Sequence, residues 1–430
     1  MTLELDTMPR KLAVVCVVAL ATTALSFPLW AHYRAAHFSE MGNQSGLERA
    51  IALQPRNAEL HNRLGRLLMY TPLGDPGASL RELERATQLD PRSGQYWMDL
   101  ALAHEIRGNL TAATHAIAKA RAAEPRTPAM LWFEANYLVR RGEEAAALER
   151  LKELLDHSPE YTVRALAFFA RVADPGVLIE QAVPRRRDAL DAAIEFVRRE
   201  QLLGSAPELW RAVRTLPEAP SEVQLRMFVD WLITAQQVPL ATEVWNESAQ
   251  RGWLPIEAST SGAALYNAGF EQPLQNFGFD WRVVPHPEAS AWIEARGPSA
   301  GLQSLCIQFG DEARSGYTHV MHAVALEPNT TYSLKAALRS DRLMSRTGAL
   351  MTITTFDNVE LARTDSVTGT STWKEVSTVV QSGSQPRFVL VRFTRPAPAK
   401  ADEAATGLAC VADVRWAPLG PASAAGGAAR

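Results

Sequence analysis

Three kinds of segment in one chain predict a multidomain protein of mixed α and β class: a transmembrane helix, an α-solenoid and a C-terminal β-sandwich. The observations are an uncharged apolar run near the N-terminus, helical amphipathicity that recurs every 34 residues, and a change to alternating β-type runs after Pro255. At 430 residues the chain exceeds one ordinary domain, and 47% apolar with 21% charged residues is a globular composition. A formal net charge of -3 gives no electrostatic reason to expect nucleic acid as a partner. The densest basic run, Arg185 to Arg187, reads as the solvated start of a helix.

The first element follows from length and charge. Leu12 to Ala31 reads LAVVCVVALATTALSFPLWA, twenty positions without a charge. At about 1.5 Å per residue, a helix of that length covers roughly the 30 Å hydrocarbon core of a bilayer. Arg10 and Lys11 stand before it, and Trp30 and Tyr33 mark the far boundary. The expectation is a cytoplasmic N-terminus (1–11), a span over 12–31, and a single-pass protein of the bacterial inner membrane with its bulk in the periplasm. A cleaved signal peptide is the competing reading. The run is longer than a usual signal core, and no small-x-small site ends it. Cys16 is a poor lipidation candidate, because Val14 and Val15 precede it where small residues are needed.

The second element follows from self-similarity. LERAIALQPRN (Leu47 to Asn57) recurs as LERATQLDPRS (Leu83 to Ser93). Pro55, Pro91, Pro125 and Pro159 are spaced 36, 34 and 34 apart, and Gly108 and Gly142 repeat at 34. Ser93 to Thr127 holds Trp97, Leu100 and Ala101 in a first helix, Gly108 in a turn, Ala113, Ile117 and Ala120 in a second helix, then Pro125. Leu64, Gly65, Leu83, Ala86 and Pro91 stand in the equivalent places one repeat earlier, with a two-residue insertion in TPLGDPG. In the next copy Glu134 occupies a position where a core leucine is expected.

This pattern resembles the tetratricopeptide repeat, here over 43–160. Degenerate helical hairpins continue it over 161–256, broken at DPG, LPEAPS and Gln237 to Pro239. The resemblance implies a concave face of first helices that holds a protein partner. Projected onto this chain, that face comprises Asn62, Arg66, Met98, Glu105, Trp132 and Asn136, although Met98 and Trp132 also fit an inter-repeat core.

After a polar link at Ser259 to Gly262, ten runs read as strands: ALYNAGF, FDWRVV, SAWIEA, SLCIQF, YTHVMHAVAL, TYSLKAALRS, ALMTITTF, TWKEVSTVV, RFVLVRFT and GLACVADVRW. NAGFEQP (Asn267 to Pro273), GFDW (Gly278 to Trp281), LEPNTTYSL (Leu326 to Leu334), the strand start at Trp373 and the closing ADVRW resemble carbohydrate-binding-module-like jelly rolls of the galactose-binding type. The resemblance covers 262–419, with 420–430 as a flexible tail. It implies exposed tryptophan platforms for sugar, with Trp281, Trp292 and Trp373 as candidates. It also implies a structural calcium ion, for which Glu271 and Asp413 are the matching acids; the chain otherwise calls for no cofactor. Cys306 and Cys410 lie in strand-like runs, as free thiols or as a bridge between neighbouring strands. His319 and His322, three apart in a strand, point to opposite faces and make a poor metal pair.

No G-x-S-x-G, H-E-x-x-H, phosphate loop or dinucleotide glycine pattern occurs. The expected function is therefore non-enzymatic: an envelope scaffold that binds a protein partner through its helices, in exopolysaccharide or O-antigen handling. The alternative is a lectin-like carbohydrate-binding protein with the helices as spacer. A third reading is an enzyme whose site in the jelly roll carries no motif.

Overall fold

A computed structural model describes residues 8–71, 75–256, 265–313, 316–397 and 405–421. The link at Ser259 to Gly262, residues 1–7, the middle of the TPLGDPG insertion and residues 422–430 of the tail lie outside them. The chain forms two compact units: residues 1–165 with 181–184, and residues 166–180 with 185–430.

In the first unit, α1 (Met8–Glu40) is one helix that contains Pro28. Its apolar part is long enough to cross a membrane by length and composition. The helix does not stop at the expected boundary near Ala31. Ala31, Ala35 and Ser39 are buried, and Ala35 packs with Leu47 and Ala50 of α2 (Gln44–Leu53) and with Leu60, Leu64 and Leu68 of α3 (Ala58–Tyr70). The first hairpin therefore begins inside α1, upstream of residue 43, because one face of its last turns carries small residues that a neighbour can cover.

The hairpins continue with α4 (Pro76–Leu89), α5 (Gly94–Ile106), α6 (Leu110–Ala123), α7 (Pro128–Arg140) and α8 (Glu144–His157). The turns after α5 and α7 share one device. Gly108 and Gly142 adopt φ +74° and +73°, and the amides of Asn109 and Glu143 bond back to the carbonyls of His104 and Leu138, both at 2.9 Å. This satisfies carbonyls that the helix end would leave bare. Asn43 and Asn109, each following a turn glycine, cap the next helix through their side chains. Small residues set the spacing: a Cβ on Gly65 would lie 2.6 Å from Leu83 Cγ. Glu134 is buried where a leucine was expected, and Arg121 pairs with it.

Two short helices, α9 (Thr162–Phe169) and α10 (Pro175–Gln181), follow in the chain. The second unit then holds α11 (Arg187–Arg199), α12 (Ala206–Val213), α13 (Glu222–Thr234) and α14 (Val238–Gln250). Its strands are β1 (Arg282–Val283), β2 (Ala289–Glu294), β3 (Ser304–Ala313), β4 (Tyr317–Leu326) and β5 (Thr330–Met344). They continue as β6 (Leu350–Thr354), β7 (Glu360–Arg363), β8 (Gly369–Gln381), β9 (Arg387–Arg395) and β10 (Ala405–Pro421). Two five-stranded antiparallel sheets result, in the orders β1-β4-β9-β6-β7 and β2-β3-β10-β5-β8. Alternate residues from both sheets share one core, among them Val389, Val391 and Phe393 from one and Leu305, Ile307 and Phe309 from the other.

Two strand expectations differ. Of ALYNAGF, Ala264 lies outside the described residues and Leu265 to Phe270 form a loop, since Asn267 and Phe270 adopt φ +51° and +59°. Its apolar residues Leu265 and Phe270 are nevertheless buried in the core. In β7, which the sequence reading missed, ELAR has only partly buried or exposed side chains and so shows no apolar alternation.

Within the second unit, helices and sheets are joined by specific contacts. The Trp245 ring sits 5.6, 5.4 and 5.5 Å from the rings of Tyr266, Phe277 and Phe279. Asp230 accepts from the Gly278 amide at 2.7 Å and from Arg282 at 2.6 Å. Gln236 accepts from the Phe388 amide at 2.8 Å.

Candidate functional site

A concavity in the first unit runs across the first helices of successive hairpins. It encloses about 410 Å³ between Gln95, Met98, Asp99 and Leu102 of α5, Ala129, Trp132, Phe133, Asn136 and Arg140 of α7, and Tyr161 and Arg164 beyond them. Ligand pockets usually hold about 300–1,000 Å³. Met98, Leu102, Trp132 and Phe133 make its apolar part. Side chains three and four residues apart share a helix face, which is why Trp132, Asn136 and Arg140 line up.

Of the six residues projected onto this face, Met98, Trp132 and Asn136 line the concavity, with Met98 at its buried floor. The other three do not. Asn62 is buried, donating to Asp99 at 2.9 Å. Arg66 stands 3.7 Å from Asp99 and borders a separate hollow beside Gly42 and Tyr70. Glu105 is taken by Arg140, whose Nε and Nη2 donate to its two oxygens at 2.7 and 2.8 Å. Inter-hairpin polar bonds consume these side chains, a use that a projection from one repeat cannot reveal.

The same bonds build the polar wall. Asp99 also accepts from Gln95 at 3.0 Å. At the far end the Arg164 guanidinium lies 4.8 Å above the Trp132 ring, and Tyr161 meets that ring at 6.3 Å. Sequence reasoning missed Asp99, Arg140, Tyr161 and Arg164. Arg140 was reachable as the i+4 helix-face neighbour of Asn136; Asp99, one residue from Met98, was not, and the last two follow Pro159, beyond the repeat pattern.

The sheet domain sorts the sugar candidates differently. Trp281 is fully buried, stacked near Phe270 and His322, so it is core and not a platform. Trp292 is 43% exposed. It pairs across strands with Cys306, Cys306 pairs with Cys410, and Cys410 pairs with Arg339. Arg339 in turn lies 5.4 Å over Trp373. One row thus crosses the whole sheet from β2 to β8, on the side opposite Leu305 and Ile307. At about 4.8 Å per strand step, Trp292 and Trp373 are roughly 19 Å apart. Glu294 pairs with Arg339 at 2.9 Å in the middle of the row.

Cys306 and Cys410 are joined as a disulfide, S–S 2.06 Å, across adjacent strands. Glu294, Cys306 and Cys410 are the one group of three metal-type donors that converge among the described residues. The bond between the sulfurs leaves no thiolate there.

The calcium expectation finds no support in the side chains. Glu271 is exposed, and Asp413, at φ +49° in an irregular stretch of β10, pairs with Arg415. A calcium ion needs six to eight oxygens, and the two acids join no third carboxylate among the described residues. The acid that orders the opening loop is Asp280 instead, accepting from the Gln275 and Trp281 amides at 2.5 and 2.7 Å and from Asn267 at 3.3 Å. Burial pushes its carboxyl above the usual range, and these donors oppose that. His322 is buried, its Nε2 3.1 Å from the Tyr266 carbonyl and its Nδ1 2.9 Å from the Ala323 carbonyl, so the neutral ring donates to one of the two. Burial pulls its imidazole down to about 4.

No family model and no curated relative matches the chain. Among solved structures it is similar to a MamA protein, at 18% identity and TM-score 0.31 over 41% of this chain and 95% of that one. A CBM4 structure aligns at 14% identity and TM-score 0.27, covering 36% of this chain and 99% of its own. PilF from Pseudomonas aeruginosa aligns at 15% and 0.25, covering 46% and 94%. Likenesses of this size leave function to the geometry of the chain itself.

Proposed function

We propose that this protein is a non-enzymatic scaffold, anchored by α1 in a bacterial inner membrane with its bulk in the periplasm, that holds a segment of a protein partner against α5 and α7. One observation carries the reading. The concavity combines an apolar floor with polar walls already bonded to one another, a surface suited to holding a chain. Pre-bonded walls cost little ordering on association, so a peptide's apolar side chains can supply the affinity.

The test is co-purification from membranes of the full-length protein and of a Trp132→Ala/Phe133→Ala variant. The groove reading expects at least one stoichiometric partner to be lost from the variant while its helical content stays unchanged. Identical partner lists would sink it.

A second reading, a lectin-like contact with polysaccharide through a β-sandwich of jelly-roll type, is favoured by the Trp292–Trp373 row. Binding of the full chain to acidic and neutral polysaccharides, lost in Trp292→Ala/Trp373→Ala, would support it. No binding across a broad panel would count against it.

A further inference from the structure

The charges around the groove do not cancel evenly, and the imbalance names the chemistry of an occupant. Asp99 is engaged by Asn62, Gln95 and Arg66. Glu105 is held by both arms of Arg140. That accounts for Asp99, the carboxylate that lines the groove, and for Arg140, one of the two guanidinium groups that line it. Arg164 is the other. It is exposed, and among the described residues its recorded contact is the Trp132 ring beneath it, with no carboxylate in reach.

A guanidinium placed over an indole face can still donate N–H bonds outward from its rim. Among the described residues no carboxylate lies within ion-pair distance of it, and the Trp132 ring packs against it. A carboxylate arriving at the edge of the groove can accept two N–H bonds from that rim without displacing the stack. Immediately beside it lie Trp132, Phe133, Met98 and Leu102, which offer an apolar group its burial. A basic residue at the same place would meet the like charge of Arg164.

We infer that the groove takes an extended peptide segment of a protein partner in which an aspartate or glutamate, read by Arg164, stands next to an aliphatic residue that enters the Trp132–Met98 floor. The inference rests on the proposed groove function and adds to it the sign of the partner.

The experiment uses the full chain in nanodiscs and fluorescein-labelled peptides of one length, Gly/Ser-flanked, with Leu-Glu, Leu-Gln, Leu-Lys or Ser-Glu at the centre. Leu-Glu should bind about tenfold tighter than Leu-Gln, and Leu-Lys and Ser-Glu weaker still. Arg164→Gln should abolish the Leu-Glu over Leu-Gln preference. Arg164→Lys should retain part of the preference, which separates charge reading from a folding defect. Rising salt should erode the preference but spare Leu-Gln binding. Equal binding of Leu-Glu and Leu-Lys, or a preference that survives Arg164→Gln, overturns the inference while the groove itself stands. If no peptide binds, or if Trp132→Ala/Phe133→Ala leaves binding unchanged, the groove reading fails and takes this inference with it.

Discussion

Between α5 and α6 the chain turns on Gly108 at φ +74°; between α13 and α14 it turns on Gln236 at φ +60°. The back-bonds match: Asn109 to His104, and Gln237 to Leu232, both at 2.9 Å. A glutamine in this left-handed conformation is worse than glycine by about 1 kcal/mol. It is kept in the second unit because its side chain has a task. Gln236 accepts from the Phe388 amide of β9, and Gln201, in a like turn after α11 at φ +55°, accepts from the Trp231 indole at 2.8 Å. In the first unit nothing lies within 4 Å of a Cβ placed on Gly108 or Gly142. The same hairpin thus serves two ends. Where its turn meets no neighbour, the residue is chosen for backbone freedom; where it meets another element, it is chosen for what it can touch.

The comparison breaks most visibly through the disulfide, which belongs to the second unit alone among the described residues. It closes a loop of sequence separation 104, for which chain entropy gives roughly 4–5 kcal/mol. In Cys306→Ala/Cys410→Ala, hydrogen exchange should show that loss in β3, β5 and β10 and none in α3 to α8. Equal loss in both units would mean that they unfold as one.

Next comes the seam. Gly278 adopts φ +59°, and a Cβ there would overlap Cζ3 and Cε3 of the Trp245 ring. Gly278→Ala is expected to cost roughly 3 kcal/mol from overpacking and strain. Faster exchange in α13 and α14, with Trp245 more accessible to quencher, would report it. An unchanged melt would show that the helices do not depend on this contact.

His322 should give a pH signature of similar size. Its folded pKa is about 4 against an ordinary 6.5, so the unfolded chain binds the proton first. Stability is whole above pH 6.5 and falls as pH drops from 6.5 toward 4, by roughly 3 kcal/mol in total. Urea midpoints of the sheet domain across that window check the sign. A midpoint that rises on acidification contradicts it.

The smallest effect sharpens the comparison most. Replacing Gln236 with the glycine of the repeat turn removes about 1 kcal/mol of strain but strips the Phe388 amide of its acceptor, costing about 1–3 kcal/mol. Gln236→Gly should therefore destabilise by about 1 kcal/mol, although it restores the pattern of the other hairpins. A higher melting temperature would show that the bond to Phe388 contributes nothing.

These contrasts also explain which parts were legible from sequence. The turn glycines and prolines exposed the hairpins because local backbone needs dictate them. The period faded after residue 160 because Gln201 and Gln236 hide the same turn behind a tertiary contact. Alternation revealed β3, β4, β5 and β9, which place apolar side chains into one core; it failed for β7, which buries little. At the groove, Met98, Trp132 and Asn136 followed from repeat position. Glu105 and Asn62 were lost to partners more than thirty residues away. The tryptophans were ranked alike in sequence, since nothing local distinguishes Trp281 in the core from Trp292 on an edge strand.

By itself the sequence determined what depends on neighbours along the chain: the apolar length of α1, the helical period and its caps, and the alternation of the strands. These follow from backbone geometry and side-chain spacing within one element. Tertiary structure decided which charges cancel and which do not, which tryptophan meets solvent, and that Cys306 and Cys410 face each other. Those outcomes depend on pairing between distant segments, and electrostatic neutrality and burial are properties of the assembled neighbourhood, not of any residue taken alone.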